Sequence, residues 1–146
     1  MKLRFQVHTK IQRPIQKVFD AVYNPEKLTK YFTTRSASGP MRAGMTVWWS
    51  FADFPGAFPV YIKKVVPNKR IIFEWQAQDG NYRTRVEFNF KSLGPKQSKV
   101  LVSESGWRKT PKGLASSYGN CMGWMHMITC LKAYLEYGIT LRKGAF

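Results

Sequence analysis

The segment Leu114–Tyr137, LASSYGNCMGWMHMITCLKAYLEY, is the longest stretch of the chain with a helical rhythm, and the remainder has to supply a surface for it. At 100° per residue, Leu114, Tyr118, Cys121, Trp124, Met125, Ile128, Leu131 and Leu135 gather on one face at three- and four-residue steps. At ~1.5 Å per residue the helix is roughly 36 Å long, enough to cross a small domain. The opposite face carries Ser116, Asn120, His126, Cys130 and Tyr134 among Gly119, Gly123 and Ala133, so it is small and mildly polar. Gly138 follows as a helix-ending C′ glycine. Glycine inside a helix costs ~1 kcal/mol relative to alanine. Gly119 and Gly123, four residues apart, therefore predict a closely approaching backbone: either the short helices of residues 14–32 or a second copy of the chain, as in a homodimer.

Ahead of this helix the chain reads mostly as strands. Leu3, Phe5, Val7, Thr9 and Ile11 alternate with polar residues, which predicts a strand with one buried face and His8 pointing outward. Pro14 opens a short helix over Ile15, Val18, Phe19 and Val22, and Asn24-Pro25 ends it and starts another through Leu28, Tyr31 and Phe32. SASGPMRAG, residues 36–44, reads as a loop. Further strands are predicted around Val47–Phe51, Val60–Val66, Ile71–Trp75, Tyr82–Phe90 and Val100–Ser103. ADFPGAFP forms a hairpin connection or edge kink, and Asp79-Gly80 a tight turn. The basic loop RKTPKG leads into the long helix. The order is strand, two short helices, strands joined by turns, then one long helix. This predicts an α+β fold in which an antiparallel sheet of about six strands curls around the C-terminal helix.

The chain has 146 residues, which suits one domain over 1–146 with a substantial core. No run approaches the ~18 uncharged apolar residues of a membrane span, and the alternating N-terminus does not resemble a signal peptide, so the cytoplasm is the expected compartment. Cys121 and Cys130 would lie on opposite faces of one helix and show no disulfide, metal or redox spacing. Lys and Arg number 24 against eight Asp and Glu, a net charge of +16. The basic residues are spread along the chain without a nucleic-acid-binding motif, so the charge implies nonspecific polyanion affinity.

The opening IQRPIQKVFDAVYNPEKLTKYF resembles the start of the START-like, Bet v-type helix-grip superfamily (SRPBCC). GNCMGWMHMITCLKAYLEYG with LRKGAF resembles its branch of activator of Hsp-ninety ATPase homologues. VVPNKRIIFEW and SKVLVSESGW match that branch's proline turn and last strand, so the resemblance spans nearly the whole chain. It implies an apolar ligand held between sheet and long helix, in a superfamily that also contains lipid carriers, cyclases and co-chaperones. Combined with the aromatic-rich inner face, it predicts a pocket for an apolar or aromatic ligand, anionic or neutral, lined by Trp49, Phe73, Phe88, Tyr118, Met122 and Met125. Its alternatives are a chaperone-interacting module and a cyclase-like enzyme.

Glu104 shares the parity of Val100 and Val102. It is the candidate for an inward-facing carboxylate with a raised pKa able to act as acid or base, set against a strand-end glutamate paired with Arg or Lys. Met122, Met125 and Met127 beside Trp124 offer either an adaptable ligand wall or plain core. Arg108, Lys109 and Lys112 precede the helix N-terminus and would receive an anionic head or form a solvated loop. His126 reads as a packing histidine. No catalytic triad, paired carboxylates, phosphate loop or metal spacing is present, so neither cofactor nor metal is expected.

Overall fold

A computed structural model describes residues 1–146. The elements are β1 (Arg4–Ile11), α1 (Ile15–Tyr23), α2 (Pro25–Tyr31), β2 (Ser36–Ala37), β3 (Thr46–Phe51), β4 (Phe54–Val66), β5 (Arg70–Gln76), β6 (Arg83–Gly94), β7 (Gln97–Ser105) and α3 (Pro111–Tyr137). All strands join one antiparallel sheet in the order β1-β7-β6-β5-β4-β3-β2. From β2 to β7 the chain meanders, and β1 closes onto β7, bringing the beginning of the chain beside its last strand. This is the α+β helix-grip architecture, with the sheet curved about α3. No helix is long and apolar enough to cross a membrane.

The inner sheet face is built by alternation. On β6, Thr84, Val86, Phe88 and Phe90 are buried between exposed Arg83, Arg85 and Lys91, and Ile71, Phe73, Val100 and Val102 continue the same surface. Each of these large apolar side chains contributes about 1.5–3 kcal/mol when removed from water. Asn24 ends α1 and caps α2, its Oδ1 accepting from the Glu26 N–H at 3.0 Å. Tyr31 closes that corner by donating to the Ala21 carbonyl at 2.9 Å.

The sheet has seven strands because β2, a two-residue strand on β3, forms inside the segment that reads as a loop. The β3–β4 connection is only Ala52-Asp53, since β4 already begins at Phe54. Pro55 and Pro59 are tolerated because β5 pairs with β4 only from Tyr61 onward, leaving the proline-bearing half bonded to β3 alone. A register shift between Ile62 and Lys64 explains why Val65 breaks the alternation.

The long helix starts earlier than the sequence suggests. Thr110 is its N-cap, with Oγ1 accepting from Gly113 N–H at 3.0 Å, so Lys112 sits in the first turn and not before it. At the other end Gly138 takes the left-handed conformation at φ 67° and donates to the Tyr134 carbonyl at 3.0 Å. The buried face also differs from the expected stripe. It runs through Gly113, Ser116, Ser117, Trp124, Met127, Ile128, Cys130, Leu131 and Ala133, so it keeps Trp124, Ile128 and Leu131 of that stripe but is centred at least a third of a turn from the Leu114–Tyr118–Met125 line. Leu114, Tyr118, Met122 and Met125 are exposed. Nothing in the chain comes within 4 Å of a Cβ built on Gly119 or Gly123, so no backbone closes on these two glycines, although farther along the same face Tyr31 of α2 stacks on Tyr134 at 5.5 Å and Cys130 and Ala133 are buried.

Candidate functional site

Glu104 is the centre of the arrangement between sheet and helix. It lies near the end of β7, is 1% exposed and meets no Arg or Lys. Four neutral groups donate to its carboxylate. Trp75 Nε1 on β5 reaches Oε2 at 3.0 Å and Thr84 Oγ1 on β6 reaches the same oxygen at 2.6 Å. From α3, Trp124 Nε1 donates to Oε1 at 2.7 Å, while the Asn120 amide reaches Oε1 at 3.1 Å and Oε2 at 3.0 Å. One side chain thus ties three strands to the long helix. Burial raises its pKa above the ordinary carboxyl value, and the donors from Thr84, Trp75, Trp124 and Asn120 oppose that rise without cancelling it.

Three of those donors, Trp75, Asn120 and Trp124, also line a cleft of about 590 Å³ between the β3–β4–β5 side of the sheet and the N-terminal half of α3. Phe51, Phe54 and Phe58 make the sheet-side wall, Phe32 joins them from the end of α2, and Gly119, Met122 and Gly123 form the helix-side rim. The open space above the two glycines is therefore the cleft mouth: a side chain at either position would project into it. Trp49 and Phe73 support the cleft from below, packing against Trp75 at ring-centroid distances of 6.1 and 5.6 Å.

The segment after α3 turns back over this opening. Arg142 makes a two-pronged ion pair with Asp53, Nε to Oδ2 and Nη2 to Oδ1, both at 2.8 Å. Its guanidinium lies 4.5 Å from the Phe51 ring centroid, 5.0 Å from Phe146 and 5.7 Å from Phe32. Phe146 in turn meets His126 edge-on at 5.1 Å. Burial, and then the Arg142 charge, lower the His126 pKa and so favour the neutral imidazole. The ring also contacts Cys130 Sγ at 3.6 Å, and burial raises the pKa of that thiol, leaving it a poor nucleophile.

Of the six residues expected to line a pocket, Met122 alone is on the cleft wall. Trp49, Phe73 and Phe88 lie in the core, and Tyr118 and Met125 sit on the outer face of α3. Arg108 stacks over the Tyr82 ring at 4.4 Å, and Lys109 and Lys112 are exposed. Thr110 already occupies one of the helix N-terminal amides that an anion would need. The cleft residues missed at the sequence level are of two kinds. Phe51 and Trp75 share the parity of Trp49 and Phe73 and could have been found by extending that alternation. Phe54, Phe58, Arg142 and Phe146 lie in segments whose proline content or position beyond the helix carries no periodic signal.

The sequence profile described as "Activator of Hsp90 ATPase homolog 1-like protein" matches residues 12–136. The chain belongs to this family. No curated protein matches it. Among solved structures, the chain is similar to protein SSP2350 from Staphylococcus saprophyticus, with 26% identity over 94% of this chain and 96% of that one and a TM-score of 0.78. MLL2253 from Mesorhizobium loti shares the fold at 23% identity and a TM-score of 0.76, covering 91% of this chain and 96% of that one. So does the Aha1 dimer from Colwellia psychrerythraea at 22% identity and a TM-score of 0.77, covering 92% and 97%. The matched span of the Activator of Hsp90 ATPase homolog 1-like family begins at α1 and ends within α3, so it includes Glu104 and every partner of its carboxylate.

Proposed function

We propose that this member of the Activator of Hsp90 ATPase homolog 1-like family is a binding module for a small molecule with an apolar, aromatic body, held in the cleft between sheet and α3. The observation that carries this reading is the cleft itself. About 590 Å³ falls inside the ~300–1,000 Å³ typical of small-molecule sites, and the walls are aromatic with few polar groups. The clamp at Glu104 supports binding over catalysis: all of its donors are already engaged, and its oxygens lie behind Trp75, Asn120 and Trp124. A cyclase-like role would require this carboxylate to exchange partners.

Native mass spectrometry of protein purified without detergent tests the reading, the expected result being a retained small-molecule mass. For protein that emerges empty, a fluorescent apolar dye should bind and be displaced by aromatic competitors, and Gly123→Leu, which fills the rim, should weaken it. A clean spectrum together with no dye binding sinks the proposal. A second reading, interaction with a chaperone or with a second copy, is favoured by the exposed Leu114, Tyr118 and Met125 on the outer face of α3. The Colwellia relative is described as a dimer. That reading predicts capture of a chaperone, or a doubled mass in light scattering, that survives ~0.15 M salt, where exposed charge pairs are screened over about 8 Å.

A further inference from the structure

The cleft mouth already contains a cation belonging to the chain. Arg142 stands on the segment after α3, which forms neither helix nor strand, and Ile139, Leu141 and Phe146 around it are exposed. Yet the Arg142 side chain is only 11% exposed and its partner Asp53 only 18%. The guanidinium lies among the faces of Phe51, Phe146 and Phe32 with a carboxylate at its edge, an arrangement that favours a positive group through the negative ring faces and a charge-assisted hydrogen bond.

The charge balance around the cleft points the same way. Arg142 is the one basic residue among those lining it, and Asp53 lines it too. Behind the floor lies Glu104, a carboxylate with no cationic partner in a chain of net charge +16. If the Arg142 side chain swings out, the mouth presents Asp53 and an aromatic cage with nothing to neutralise them. The Gly119–Gly123 rim leaves room beside the cage for the rest of a guest.

We propose that the ligand of this cleft carries an ammonium or guanidinium head on its apolar body, and that the head takes the place of Arg142 against Asp53, Phe51 and Phe32. This rests on the small-molecule reading above and specifies its ligand class. It reverses the expectation of an anionic head, because the cations expected to receive one lie on the loop before α3 and its first turn and do not line the cleft. Arg142 is then a self-ligand that closes the mouth of the empty protein and yields to the guest.

The test uses three probes of one shape, 2-(1-naphthyl)ethylammonium, 2-(1-naphthyl)ethanol and 1-naphthylacetate, followed by calorimetry and by quenching of tryptophan fluorescence. The ammonium should bind about tenfold tighter than the alcohol, which corresponds to ~1.4 kcal/mol, and the carboxylate should bind weakest. Asp53→Asn should bring the ammonium to within about twofold of the alcohol, the ratio of the two affinities within that variant being the readout. Arg142→Ala should tighten the ammonium several-fold by emptying the cage. Circular dichroism checks that both variants remain folded. Equal affinity for the three probes, or a preference for the carboxylate, overturns the cationic head and leaves the small-molecule reading standing. Binding of none of them, to the wild type or to Arg142→Ala, overturns both.

Discussion

A buried carboxylate whose partners are all neutral makes its neighbours depend on it. Glu104→Ala would leave the Trp75 and Trp124 N–H groups and the Asn120 amide without acceptors, in addition to opening a cavity. Unpaired buried donors cost about 1–3 kcal/mol each, so a loss of about 4 kcal/mol or more is expected by urea denaturation. Glu104→Gln keeps the shape but turns an amide donor toward other donors, with an expected cost of about 2–4 kcal/mol. The pH dependence has a definite sign. Because burial raises the Glu104 pKa, the folded state holds its proton to higher pH than the unfolded chain. The stability added by that proton is complete below the unfolded value, near the ordinary 4.5, and is lost as pH rises through the folded value. The stability advantage of wild type over Glu104→Gln should therefore be larger at about pH 4 than at about pH 7. A difference that is flat or grows with pH contradicts a raised Glu104.

Three glycines of α3 separate packing from function along one element. At Gly113 a Cβ would lie 2.0 Å from the Arg108 carbonyl oxygen, so the backbone leading into the helix occupies the space of a side chain. Gly113→Ala should cost more than about 2 kcal/mol as an overpacked contact. At Gly119 and Gly123 nothing stands within 4 Å. Alanine at either should raise stability by about 0.5–1 kcal/mol through helix propensity alone. Thermal melting of the three alanine variants decides this, and a stabilised Gly113→Ala would show that the Arg108 turn yields easily. The same helix shows where sequence reasoning lost its way. Strand parity on β6 and β7 was legible, because the buried inward positions are apolar except Thr84 and Glu104, which bond each other, and Ser98, which donates to the Arg13 carbonyl. The phase of α3 was not. Its buried face begins with Gly113, Ser116 and Ser117, followed by half-buried Asn120, small or polar because that end meets the Arg108 turn and the Glu104 clamp. Apolar Leu114, Tyr118 and Met125 face outward while Trp124, Ile128 and Leu131 of the same expected stripe are buried, so a hydrophobic stripe drawn on a wheel is turned partly off the core. The cleft was legible only as a gap between sheet and helix; its strap, Arg142 and Phe146, carries no periodicity that could announce it.

For the molecule as a whole, the excess charge is left largely unpaired. Five of the 24 basic side chains pair with a carboxylate, and the remainder repel one another across the surface. The sheet registers show where this is most concentrated. Lys10 stands directly opposite Lys99 on β1 and β7, and Lys99 directly opposite Lys91 on β7 and β6, so three lysines form one row across three strands. Opposed like charges destabilise a sheet by a fraction of a kcal/mol each, and nothing in the fold neutralises the row. Such a row is also a ready contact for any phosphate chain, since binding there releases the counterions that the lysines displace. Lys99→Thr removes the central charge and substitutes a good strand former. It should therefore stabilise the protein by roughly 0.5 kcal/mol at low salt, with the gain shrinking as salt approaches ~0.15 M. In the same variant the slope of log affinity against log salt for a random single-stranded DNA should fall by about 0.7, the loss of one phosphate contact. A gain in stability with an unchanged slope would mean that polyanions bind elsewhere on the surface, and a slope change without the gain would mean that the lysines already relieve their repulsion by splaying apart.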